Sequence, residues 1–175
     1  MKIKLTNNRE IFNYSEPYII AEIGANHNGD MNLAKEIIDS AKDCGVDAVK
    51  FQSWTPSSLI SKKEYDENTE YNDGDGGKKH FGSLKDMVEK YYLKEDQHFE
   101  LKEYCNQIGV DFCSSPFSNK EVDLLNKLDV PFFKIASMDI NHLELLKYVA
   151  KQDKPILLST GMSSIPEIEK ALETI

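Results

Sequence analysis

Pro131-Phe132-Phe133-Lys134-Ile135-Ala136-Ser137-Met138-Asp139 is the stretch that decides how this chain folds. A short apolar run opens on a proline, carries a lysine at its centre and closes in serine and aspartate, just before a helical pattern that starts at about Asn141. A lysine inside an apolar strand costs free energy unless an anion meets it. The segment therefore predicts either an internal ion pair or a seat for a negatively charged ligand.

Working outward, the same punctuation recurs. Residues 17–24 (PYIIAEIG), 46–52 (VDAVKFQ), 110–114 (VDFCS) and 155–159 (PILLS) read as further strands, each apolar at its start and polar at its end. Helical spacing lies between them, as in Leu33, Ile37, Ile38 and Ala41, with Asp30 or Asn32 as the start signal and Gly45 as the stop. Further helices are predicted over residues 83–92, 94–108, 120–128, 143–152 and from Ile165 onward. From residue 110 the strand starts fall about 22 residues apart with a helix in each gap, the pattern of βα units on a parallel sheet. Residues 1–16 alternate weakly around Asn7-Asn8 and predict a hairpin that caps one end. Residues 53–82, with Pro56, an acidic run near Tyr65 and the glycine-rich stretch after Asp73, predict a long mobile insertion of the kind that serves as a lid.

Composition narrows the classes. The 175 residues are 40% hydrophobic, enough for one sizeable core. A formal charge of -9 argues against nucleic acid or an anionic membrane surface as partner, yet leaves room for a small anion held by a few buried lysines. No apolar run approaches membrane-spanning length and no leader pattern is evident, so a soluble, cytoplasmic protein is expected. Cys44, Cys105 and Cys113 lack metal-ligand spacing and are expected as reduced thiols.

In a parallel sheet all carboxyl ends lie on one side, so Glu22, Lys50, Gln52, Ser114, Ser115, Ser137, Asp139 and Ser159 are predicted to converge on one face. Two plainer readings stand beside this. Each serine can be an ordinary helix cap, and Glu22 with Lys50 can be a structural ion pair. His27 lies in a loop beside the predicted face and is a lone candidate metal ligand. His80, His98 and His142 sit in polar surroundings and are expected at the surface.

Together AEIGANHNGD (21–30), AVKFQ (48–52), CSSPFS (113–118), FKIASMD (133–139) and LSTGMSS (158–164) resemble the N-acetylneuraminate (sialic acid) synthase family, with its relatives that make legionaminic and pseudaminic acids. The resemblance implies a TIM (β/α)8-type barrel, with the first five or so βα units over residues 17–175, and a family antifreeze-like domain that is absent from this chain. It implies condensation of phosphoenolpyruvate with N-acetylmannosamine, its 6-phosphate or a diacetamido sugar. The products are a nonulosonic acid and phosphate. Position by position, Lys50, Lys134, Ser115, Ser137 and Ser159 match residues that hold phosphoenolpyruvate, and Glu22 matches a carboxylate of the same site. Gln52 and Phe117 match positions near the amino sugar. Asp139 falls where many members have glutamate, one methylene longer, and Asp139 or Glu22 would assist proton transfer. The family's divalent metal, Mn2+ or Mg2+, would polarise the aldehyde, with its histidine ligands beyond this chain. Full-length members are implied to be homodimers. Two alternatives stay open: a Schiff-base aldolase using Lys134, and a truncated, non-catalytic fragment that only binds ligand or partner.

Overall fold

The computed structural model describes residues 2–5, 8–59, 61–63 and 83–175. Most of the predicted insertion, including its acidic run, its glycine-rich stretch and His80, lies outside these residues, as does Asn7. At the amino end β1 (Lys2–Lys4) and β2 (Glu10–Phe12) pair antiparallel, Ile3 opposite Ile11. Strand and helix then alternate: β3 (Ile20–Gly24), α1 (Met31–Asp43), β4 (Ala48–Ser53), α2 (Leu84–Tyr91), α3 (Glu95–Ile108), β5 (Asp111–Pro116), α4 (Asn119–Lys127), β6 (Phe133–Ile135), α5 (Leu143–Ala150), β7 (Ile156–Leu158) and α6 (Ile165–Thr174).

Local chemistry sets the helix ends. The Asp30 carboxylate accepts from the Asn32 and Leu33 N–H groups and starts α1, while Ser83 with Asp86 and Ser164 with Glu167 make capping boxes at α2 and α6. Gly109, at φ +72°, ends α3 in the left-handed conformation that glycine adopts without a Cβ penalty. The strand predicted from Pro17 begins only at Ile20, because the Ile19 N–H is taken by the Asp47 carboxylate at 2.8 Å rather than by a ladder. The helical pattern read from about Asn141 is split: a 3-10 turn over Ser137–Asp139 comes first and α5 starts at Leu143.

All five strands from β3 onward run parallel, β3-β4-β5 in one ladder and β6-β7 in another. Alternation sends successive side chains to opposite sides. On one side Val49, Phe51, Phe112, Phe133 and Ile135 pack under the helices with Ile38, Leu101, Leu125 and Leu146. On the other, near the strand starts, Cys113 and Phe132 meet Leu5 of the amino-terminal segment, with Ile3, Ile11 and Leu157 around them. Helices outside, a parallel sheet between, and an apolar plug within make part of a (β/α)8-type barrel.

Candidate active site

The register of β3, β4 and β5 builds the site. Glu22 stands opposite Lys50, Lys50 opposite Cys113, and Gln52 opposite Ser115, so four predicted residues share the inner side. The Lys50 ammonium, only 4% exposed, lies 2.8 Å from Glu22 Oε2 and 3.5 Å from Ser115 Oγ. Glu22 itself is 62% exposed, so this partner can swing into water without losing packing.

From the next pair of strands, Lys134 donates to the Ser159 hydroxyl and to the Ile135 carbonyl at 3.0 Å. The Ser159 N–H is bound to the Ile135 carbonyl at 3.1 Å, which holds that hydroxyl in place. Gly161 carries the following loop past Ser137, where an added Cβ would sit 3.6 Å from the serine side chain. Burial holds the Lys134 ammonium below the usual lysine range, the nearby Lys50 charge lowers it further, and Glu22 pulls the other way.

Asp139, at the end of the 3-10 turn, is 9% exposed, and its Oδ2 has no hydrogen-bond partner among the described residues. Burial raises its carboxyl above the usual range, against a small pull from His142, whose Nδ1 lies 3.9 Å from Oδ1. Phe117 sits just past β5 in a second apolar cluster with Trp54, Val88 and Tyr91, its ring edge-on to Trp54. Gln52 is half-buried beside them on the sheet's inner side.

The capping reading fails for all four serines it was weighed for. None of Ser114, Ser115, Ser137 and Ser159 is an N-cap: Ser118, His142 and Ser164 precede α4, α5 and α6, and Ser137 is the first residue of the 3-10 turn, behind Ala136. Two expectations need correction. Ser114 does not join the site: it neighbours Ser115 on a strand and so faces the helices, where its hydroxyl meets Ser53. His98 is not a surface residue but 1% exposed, bonded to Ser53 and packed edge-on against Phe112. Its spacing to Leu101 and Cys105 on α3, three and seven residues on, was the signal of a buried position. His27 is likewise buried, and its Nδ1 accepts from the Gly29 N–H, which removes that nitrogen as a free ligand. Among the described residues no three His, Cys, Asp or Glu side chains cluster as a metal site. All three cysteines are free, Cys44 exposed and the others buried.

The fold is part of a (β/α)8-type barrel, with the Lys50–Glu22–Ser115 group on one set of strands and the Lys134–Ser159 pair on the next. The model of the NeuB family matches residues 37–175, and the chain belongs to that family. It is 44% identical over 161 residues to the N,N'-diacetyllegionaminic acid synthase of Campylobacter jejuni, covering 90% of this chain and 46% of that protein. Against the N-acetylneuraminate-9-phosphate synthase of Mus musculus it is 35% identical over 158 residues, 90% of this chain and 43% of that one. Among solved structures, the N-acetylneuraminic acid (sialic acid) synthetase of Leptospira borgpetersenii serovar Hardjo-bovis, in complex with citrate, superimposes with a TM-score of 0.83 at 29% identity, covering 99% of this chain and 54% of that one. The chain thus spans about half the length of the relatives it matches. No helix among the described residues is long and apolar enough to cross a membrane.

Proposed function

We propose that the chain supplies the phosphoenolpyruvate-holding part of a barrel that condenses this enol phosphate with N-acetylmannosamine or a related 2-acetamido sugar, giving a nonulosonic acid and phosphate. The observation that carries it is the pairing of buried Lys50 with a movable counter-ion, Glu22, beside Lys134 and Ser159. An arriving polyanion replaces Glu22 at Lys50 and gains Lys134, so its charge is met without a basic protein surface. In this reading residues 1–16 close the strand-start end and residues 17–175 form the barrel part.

The methylene carbon of the enol phosphate attacks the sugar aldehyde, water adds at C2, and the C2–O bond to phosphate breaks. Lys50, Lys134, Ser115, Ser137 and Ser159 hold the carboxylate and phosphate through these changes. Asp139, kept protonated to a higher pH by burial, donates to the alkoxide that forms, and Glu22 accepts a proton from water. Gln52 and Phe117 border the sugar. The divalent metal implied by the family resemblance finds no ligand set among the described residues, and none of these steps is routed through it.

The test is phosphate release by the full-length protein given phosphoenolpyruvate, N-acetylmannosamine or a diacetamido sugar, and manganese. Turnover that depends on both substrates supports the reading; turnover by the longer protein with none by these 175 residues alone supports a ligand-holding fragment instead. A second reading, imine formation at Lys134, is favoured by that residue's lowered ammonium pKa. Borohydride reduction in the presence of pyruvate separates the two, since only an imine leaves a stable adduct on lysine.

A further inference from the structure

Behind the sheet, on the side away from the lysines, three side chains and a carbonyl stand in line. The Lys94 carbonyl is 2.8 Å from His98 Nδ1, His98 Nε2 is 2.7 Å from Ser53 Oγ, and Ser53 Oγ is 2.6 Å from Ser114 Oγ. Ser53 and Ser114 are 0% exposed and His98 1%. A carbonyl only accepts, so the ring proton sits on Nδ1 and Nε2 keeps its lone pair. Ser53 then donates its single proton to Nε2, and Ser114 donates to Ser53. The direction of every bond is fixed from one end to the other.

Where this line meets the sheet matters. Ser53 follows Gln52 on β4 and Ser114 precedes Ser115 on β5. The β4-β5 register ends at Ser53 opposite Pro116, and a proline has no N–H to carry the ladder on. The Ser53–Ser114 bond is a side-chain tie at that end, and His98 fastens it to the first turn of α3. We infer that Ser53, Ser114 and His98 are positioning residues: their directed relay pins the carboxyl ends of β4 and β5 to α3 and so fixes where Gln52, Ser115 and the Lys50 ammonium stand around the anion. The inference rests on the function proposed above. A displacement of about 1 Å at a binding group is enough to cost up to roughly a hundred-fold in function.

The experiment measures phosphoenolpyruvate affinity by calorimetry and the thermal midpoint in the full-length protein, for wild type, Ser53→Ala and Ser53→Ala with His98→Phe. Ser53→Ala leaves a buried acceptor and a buried donor unmatched; it is expected to lower the midpoint and raise Kd about ten-fold. The double variant also removes the stranded acceptor and puts a ring of similar size against Phe112, leaving only the Ser114 hydroxyl unmatched, so the midpoint recovers in part while Kd stays raised. A Kd that returns to wild type with the midpoint, or that never changes in Ser53→Ala, overturns the positioning role. Should Ser53→Ala fail to fold, Ser114→Ala removes only the last donor and is expected to raise Kd two- to three-fold; an unchanged Kd there overturns the inference equally. Wild-type protein that does not bind phosphoenolpyruvate at all overturns the proposed function and this inference with it, an outcome distinct from equal binding by all variants.

Discussion

Lys50 and Lys134 carry their charge in different company, and that difference is testable. Lys50 is matched by a carboxylate, whereas among the described residues Lys134 donates to a hydroxyl and a carbonyl. Glu22→Gln is therefore expected to tighten phosphoenolpyruvate binding a few-fold if Glu22 only competes for Lys50, while lowering turnover if it also handles a proton; binding and rate measured side by side separate these. The two buried histidines make an acid-stability prediction. Burial holds both below their ordinary value of 6.5 in the folded protein; the His98 charge lowers His27 further, while the Lys94 carbonyl and Glu95 pull His98 the other way. Above about pH 7.5 neither ring binds a proton in either state and stability is full. As the pH falls below that, the unfolded chain takes up protons the folded one refuses, so stability drops until the folded-state values are reached. The thermal midpoint should fall between about pH 7.5 and 5.5, and His98→Phe should reduce the fall; an equal slope in both proteins would contradict the assignment.

At the scale of single elements, the amino-terminal hairpin and the β3–α1 loop each hang on one residue. Leu5 is 2% exposed against Phe132 and Cys113, so Leu5→Ala is expected to cost about 2–5 kcal/mol in denaturant unfolding. A cost below about 1 kcal/mol would mean that the segment does not plug the strand starts. Gly29 sits at φ +78°, and an added Cβ would lie 2.4 Å from the Lys90 carbonyl of α2. Gly29→Ala combines backbone strain with a collision against main chain and should destabilise by about 1–3 kcal/mol or more; a wild-type midpoint would show that the loop can move off α2.

The elements also show what was readable in advance. Period-two alternation placed Lys50 with Gln52, and the βα rhythm placed their strand ends beside those of Lys134 and Ser159. The same alternation puts adjacent Ser114 and Ser115 on opposite sides of the sheet, so a shared place at the strand end does not make both of them site residues. His98 lay in a charged stretch, Glu95-Asp96-Gln97-His98, and its burial depends on Ser53 and Phe112, far along the chain. Local polarity cannot report such a partner. The burial of Asp139 was hidden for a similar reason: one turn of 3-10 helix has no periodic signature of its own.

For the whole molecule, parallel strands with a plugged interior at one end and a charged mouth at the other concentrate two positive groups in a protein of net charge -9. Lys50 and Lys134 are expected to act together on one bound molecule. Calorimetric titration of phosphoenolpyruvate into the full-length protein and its Lys50→Ala, Lys134→Ala and doubly substituted forms tests it most directly. Each single change is expected to weaken binding roughly ten- to a hundred-fold, and the double change by clearly less than the product of the two. Binding equal to wild type in either single variant, or losses that multiply as for independent sites, would contradict it.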